Sequence, residues 1–107
     1  IRLLIEDPAI GVYVSAASIW EIAIKRGLGR GEQPPFSAAE SIEVFRRLRF
    51  DLLLISAEHA AAVEGLPRIH GDPFDRLLVA QAMVERMQLV THDKQLAGYL
   101  DGVILVG

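Results

Sequence analysis

His70-Gly71-Asp72-Pro73-Phe74-Asp75-Arg76-Leu77-Leu78-Val79-Ala80-Gln81-Ala82 places two carboxylates at the head of a helix whose following turns are largely apolar. Such a helix must be mostly buried, so its charged head belongs where the fold meets solvent or a ligand. Two more acids stand in equally apolar company. Glu21 interrupts the run Ala16-Ala17-Ser18-Ile19-Trp20-Glu21-Ile22-Ala23-Ile24, and Asp93 follows the strand-like Leu89-Val90-Thr91-His92. Burying an unpaired carboxylate costs several kcal/mol or neutralises it, so these acids need partners, and a divalent cation is the obvious one.

The segments around them alternate in type. Val12-Tyr13-Val14 reads as a strand after the turn signals Asp7-Pro8 and Gly11, and Ser15 opens a helix to about Arg26 that Gly27 and Gly29 close. A second helix is expected from about Ser37 to Leu48, with Ser37-x-x-Glu40 as its capping box. Leu52-Leu53-Leu54-Ile55 has the continuous apolar character of a strand covered on both faces. Ser56 caps a helix to about Gly65, where the capping-box position is filled by His59 and the acid, Glu58, comes one residue early. The Asp72-Pro73 helix runs to about Met87, followed by a strand over Gln88 to Thr91, a short helix from Asp93 to Leu100 and a last strand, Val103 to Val106. Alternating strands and helices predict an α/β fold, a three-layer sandwich with a mostly parallel sheet.

In such sheets ligands bind at the carboxyl edge of the strands. Asp93 lies just beyond the strand ending at Thr91, Glu21 lies early in the helix after Val14, and the helix starting at Pro73 must run back along its following strand. Glu21, Asp75 and Asp93 are therefore expected at one rim. Hard carboxylate oxygens, with three histidines and no cysteines in the chain, suit Mg²⁺ or Mn²⁺. Each acid also has a structural use: Ser18-x-x-Glu21 has a capping-box spacing, Asp72 and Asp75 suit a helix N-terminus, and Asp93 can cap the helix it begins. Ser15 is the better helix start, however, and leaves Glu21 without a capping task.

The chain of 107 residues, 51% hydrophobic and 23% charged, is one ordinary globular domain. Without cysteine it has no disulfide or thiolate chemistry. No apolar run reaches the ~20 residues that cross a bilayer, and the composition suits the cytoplasm. The net charge of -3 exerts no global pull on nucleic acid. Lys25, Arg26 and Arg76 adjoin the suspect acids and are candidates for phosphate contact, whereas Arg46, Arg47 and Arg49 read as a solvated helix face. His59 reads as a surface or half-buried side chain, His92 as a strand-end residue near Asp93, and Trp20 and Phe74 as core anchors.

The segments Val14 to Lys25, His70 to Ala82 and Val90-Thr91-His92-Asp93, in this order and at these intervals, resemble the PIN-domain family, and within it the VapC-like toxins of bacterial toxin-antitoxin pairs. The resemblance implies a metal-dependent endoribonuclease using Mg²⁺ or Mn²⁺, with an antitoxin whose tail enters the active-site groove, and commonly a homodimer. By motif match Glu21 is the family's second acid, Asp75 its third and Asp93 its fourth, while Asp72 and His92 are helpers at most.

One departure stands out. The family's first acid ends an opening strand well before the Trp-Glu segment, and Ile1-Arg2-Leu3-Leu4-Ile5-Glu6-Asp7 lies too close to Val12 for the intervening helices. Residues 1–7 are therefore expected to be a helix end, so that residues 1–107 form a PIN domain lacking its opening strand. That would expose the edges of the strands at Val12 and Leu89 and leave the domain with little nuclease activity. The alternative function is a degenerate PIN-like module that binds RNA or a protein without catalysis. A phosphoacceptor domain of receiver type is disfavoured, since its strand-end aspartate and downstream lysine have no counterpart.

Overall fold

The computed structural model describes residues 2–7, 11–29, 31, 33–67, 71–91, 94, 96 and 103–105. The chain enters as strand β1 (Leu3–Asp7) and returns as β2 (Gly11–Ser15). Residues 8–10 are all that separate them, and parallel neighbours need a crossover of about a dozen residues or more, so the pair is antiparallel, with Leu4 opposite Tyr13 and Ile5 opposite Val12. Then follow helices α1 (Ala16–Leu28) and α2 (Ala38–Arg47), strand β3 (Asp51–Leu53) and helix α3 (Ala57–Ala62), which passes into a 3₁₀ turn at Val63–Gly65. Helix α4 (Pro73–Glu85) and strands β4 (Gln88–Thr91) and β5 (Val103–Leu105) complete the described elements.

The sheet order is β3-β2-β1-β4-β5. β2 pairs parallel with β3 and β4 with β5, whereas β1 is antiparallel to both of its neighbours. Four strands thus share one direction and the central strand opposes them, giving a mixed α/β sheet flanked by helices. The sheet is therefore mixed where a mostly parallel one was expected, because β1 enters between β2 and β4 in the opposite direction. Residues 3–7 are a strand, not the expected helix end, and they cover the β2 and β4 edges that a missing central strand would have left bare.

The core explains why β1 takes the centre. Leu4 is fully buried among Leu78 and Val79 of α4, Leu89 of β4 and Leu96. The apolar run at Leu52 proves to be less enclosed than expected: β3 is an edge strand that stops at Leu53, and Leu54 is 76% exposed. The cap signals hold. Ser37 and Glu40 close both bonds of the capping box, and the bond from the Ser37 backbone N–H holds the Glu40 carboxyl below its ordinary range. A carboxyl with a lowered folded-state value stabilises at neutral pH, and that contribution fades as pH falls through the lowered value.

His59 departs from the surface position expected of it, being 1% exposed. Its Nδ1 accepts from the Ser56 backbone N–H at 3.0 Å while Ser56 Oγ accepts from the His59 N–H at 3.2 Å, so an imidazole does the work of the usual glutamate in the capping box. With Nδ1 as acceptor the ring proton sits on Nε2, which meets Glu85 Oε2 at 2.8 Å. Gln81, wholly buried, links this pair to the other side of the fold: its Oε1 accepts from Ser15 Oγ, and its Nε2 lies 3.4 Å from both the Leu54 carbonyl and His59 Nδ1.

His59→Ala would leave the Ser56 N–H without its acceptor and open space beneath α3. It should cost about 2–4 kcal/mol in urea unfolding, whereas Glu58→Ala, at the exposed first-turn acid, should cost under about 1 kcal/mol. Leu4→Ala should cost about 2–5 kcal/mol if β1 fills the centre of the sheet; a loss below about 1 kcal/mol would place residues 3–7 outside the core.

Candidate metal centre

Two helix starts bring the acids to the rim. Ser15 ends β2 and caps α1, its Oγ accepting from the Ala17 N–H at 3.0 Å, so α1 departs from the carboxyl edge and carries Glu21 within its first two turns. Asp72 caps α4, accepting from the backbone N–H groups of Phe74 at 2.8 Å and Asp75 at 3.4 Å, with Pro73 in the first turn. Asp75 then points inward from the first turn and is 1% exposed. Trp20 and Phe74, each immediately before an acid, meet edge to face at 4.9 Å and 70° and fasten the two helix starts together. Trp20 is nevertheless 57% exposed, so it roofs the rim and is not the core anchor its apolar neighbours suggest.

The reversed central strand contributes the third group. Because β1 opposes β2 and β4, its start lies where theirs end, and Arg2 therefore stands at the acid rim while Glu6 and Asp7 close β1 at the other edge. Arg2 Nε approaches Asp75 Oδ1 at 2.8 Å and Arg2 Nη1 donates to Glu21 Oε1 at 3.1 Å. The Asp75 approach has the distance of an ion pair without the alignment of a hydrogen bond, so its attraction is chiefly coulombic. Lys25, one turn above Glu21 and more exposed, reaches Glu21 Oε2 at 3.8 Å.

The donor set fits a hard divalent cation. Carboxylate oxygens from two separate helices converge on the single guanidinium of Arg2, and such oxygens are the donors that a hard divalent cation takes. Among the described residues no cluster of three or more histidine or acidic side chains is placed to hold a metal. Asp93 and His92 lie outside the described residues; Thr91, at the end of β4, is the nearest described residue before them and belongs to the same rim.

The other candidates have local tasks. Arg76 donates to the carbonyls of Pro67 at 3.0 Å and Val63 at 3.1 Å, tying α4 to the 3₁₀ turn. Arg26 donates to the Pro34 carbonyl at 2.9 Å and fastens the loop after α1. Asp72 is occupied as the α4 cap. Lys25 remains beside the acids, at the mouth of a groove of about 520 Å³ that leaves Arg2 and Glu21 and runs between α1 and α2 over Ile22, Phe36, Val44 and Phe45. Arg2 was not singled out by sequence reading. The signal was present in the shortness of the link from β1 to β2, which dictates the direction of β1.

A family model for the PIN domain matches residues 1–99. No curated protein and no solved structure matches the chain significantly. The family match covers nearly the whole sequence and takes in both helices whose starts converge, so the chain belongs to the PIN-domain family, whose members are typically metal-dependent nucleases.

Proposed function

We propose that this domain is a metal-dependent endoribonuclease of the VapC-like toxin type, cytoplasmic, neutralised by a cognate antitoxin and working as a homodimer. The observation that carries this reading is the convergence of Glu21 and Asp75, from separate helices, on one positive charge at the carboxyl rim. Glu21, Asp75 and Asp93 would hold Mg²⁺ or Mn²⁺. When bound, the ion supplies Lewis-acid activation of the scissile phosphate and a water of lowered pKa.

The protein's own groups do the rest. Asp72 and Pro73 fix the start of α4 and so the direction of Asp75, and the Trp20–Phe74 contact fixes its separation from α1. Lys25 offers its ammonium to an RNA phosphate at the groove mouth, a contact that positions the backbone without selecting a sequence. The apolar groove between α1 and α2 suits the antitoxin tail that the family resemblance implies.

A second reading, a PIN-like module that binds RNA or protein without catalysis, is favoured by one observation: Arg2 already places a positive charge against both acids. Cleavage of total RNA with and without Mg²⁺ separates the two. The nuclease reading expects Mg²⁺-dependent cleavage that Asp75→Asn and Glu21→Gln each reduce by about 100-fold or more. Wild-type protein that binds RNA but leaves it intact at every Mg²⁺ concentration supports the second reading. Because Asp75 is buried against Arg2, Asp75→Asn should also cost about 1–3 kcal/mol of stability, and comparison with a melting curve separates lost chemistry from lost fold.

A further inference from the structure

We propose that Arg2 is a built-in competitor for the divalent cation: its guanidinium occupies the space between Glu21 and Asp75 and must withdraw before a metal ion can take both carboxylates. This rests on the reading of those acids as metal ligands. Three features of the structure carry it. The guanidinium reaches both acids, at 3.1 Å and 2.8 Å, with different nitrogens, so one side chain bridges the pair. Asp75 is almost fully buried, where it cannot remain charged cheaply without a positive partner, and Arg2 supplies that partner with no ion bound. Arg2 itself is part-exposed and borders the groove, so its side chain has somewhere to go when displaced.

The Arg2 Nε contact with Asp75 Oδ1 also lacks hydrogen-bond alignment, which leaves that half of the clamp chiefly coulombic, while Arg2 Nη1 hydrogen-bonds Glu21. A doubly charged ion has the stronger claim on the same two carboxylates once it has shed enough of its water. Arg2 and the ion would therefore alternate at one place, the arginine holding Glu21 and Asp75 until the metal arrives. Arg2 stands beside β1 residues packed in the centre of the sheet, so the exchange needs only side-chain rotation, without movement of the strand.

Mn²⁺ alone is the probe, with binding read by calorimetry and by the rise in melting temperature as Mn²⁺ is added. Arg2→Ala should bind Mn²⁺ about tenfold more tightly than the wild type, or better, and should show the larger melting-temperature rise on Mn²⁺ addition, because no guanidinium then has to be displaced from between Glu21 and Asp75. Arg2→Lys, which keeps a positive charge but cannot fork to both acids, should fall between the two. If Arg2→Ala does not fold, Arg2→Lys decides: affinity above wild type supports the competition, and equal or weaker affinity overturns it. Equal, weaker or absent Mn²⁺ binding by a folded Arg2→Ala likewise overturns it. Tighter Mn²⁺ binding without RNA cleavage would uphold the competition and refute the nuclease reading, whereas cleavage with Mn²⁺ affinity indifferent to Arg2 would do the reverse.

Discussion

The link between β1 and β2 constrains everything else at the rim. With residues 8–10 as the whole connection, the chain has no length for a crossover, and two adjacent strands so joined can only run antiparallel. The apolar face of β1 still has to be buried, and the slot between β2 and β4 is where Leu4 meets Leu89 and the buried side of α4. Core burial thus selects the position of the strand and the link selects its direction. That direction sets Arg2, immediately before β1, at the rim, and sends Glu6 and Asp7 to the opposite edge.

That inversion changes the electrostatics more than the architecture. Glu21 and Asp75 repel one another, and Asp75 has little water to help it. Arg2 resolves both difficulties at once without altering how α1 and α4 are set. The helix starts are fixed by other means: the Ser15 and Asp72 caps, the Trp20–Phe74 contact, and the chain of polar groups from Ser15 through Gln81 to His59 and Glu85. The rim therefore has supports that do not depend on the carboxylates of Glu21 and Asp75.

What the sequence discloses follows the range of each interaction. Caps are local, and Ser15, Ser37, Ser56 and Asp72 all appear at the helix starts they announce. The meeting of Glu21 and Asp75 was legible because the order of strands and helices alone sends both helix starts to one edge. Features that depend on which surfaces finally meet were not. His59 looks like a surface residue in its alanine-rich run, but α3 is short and packs on α4, so the imidazole is enclosed between them. Leu52 to Ile55 has the composition of a covered strand, yet its place at the end of the sheet order leaves Leu54 outside. Arg2 shows no local sign of its task, since only the direction of β1 brings it within reach of Asp75.

The exposure of Trp20 has an optical consequence. It is the one tryptophan of the chain, it precedes Glu21, and its ring lies against Phe74 next to Asp75. Its indole therefore samples the boundary between solvent and the charged rim. Any event that replaces a guanidinium with a hydrated ion, or lays a polynucleotide or a peptide across the groove, changes the polarity and the quenching around that single ring. The protein carries its own fluorophore beside Glu21 and Phe74, and its emission can be followed without a label.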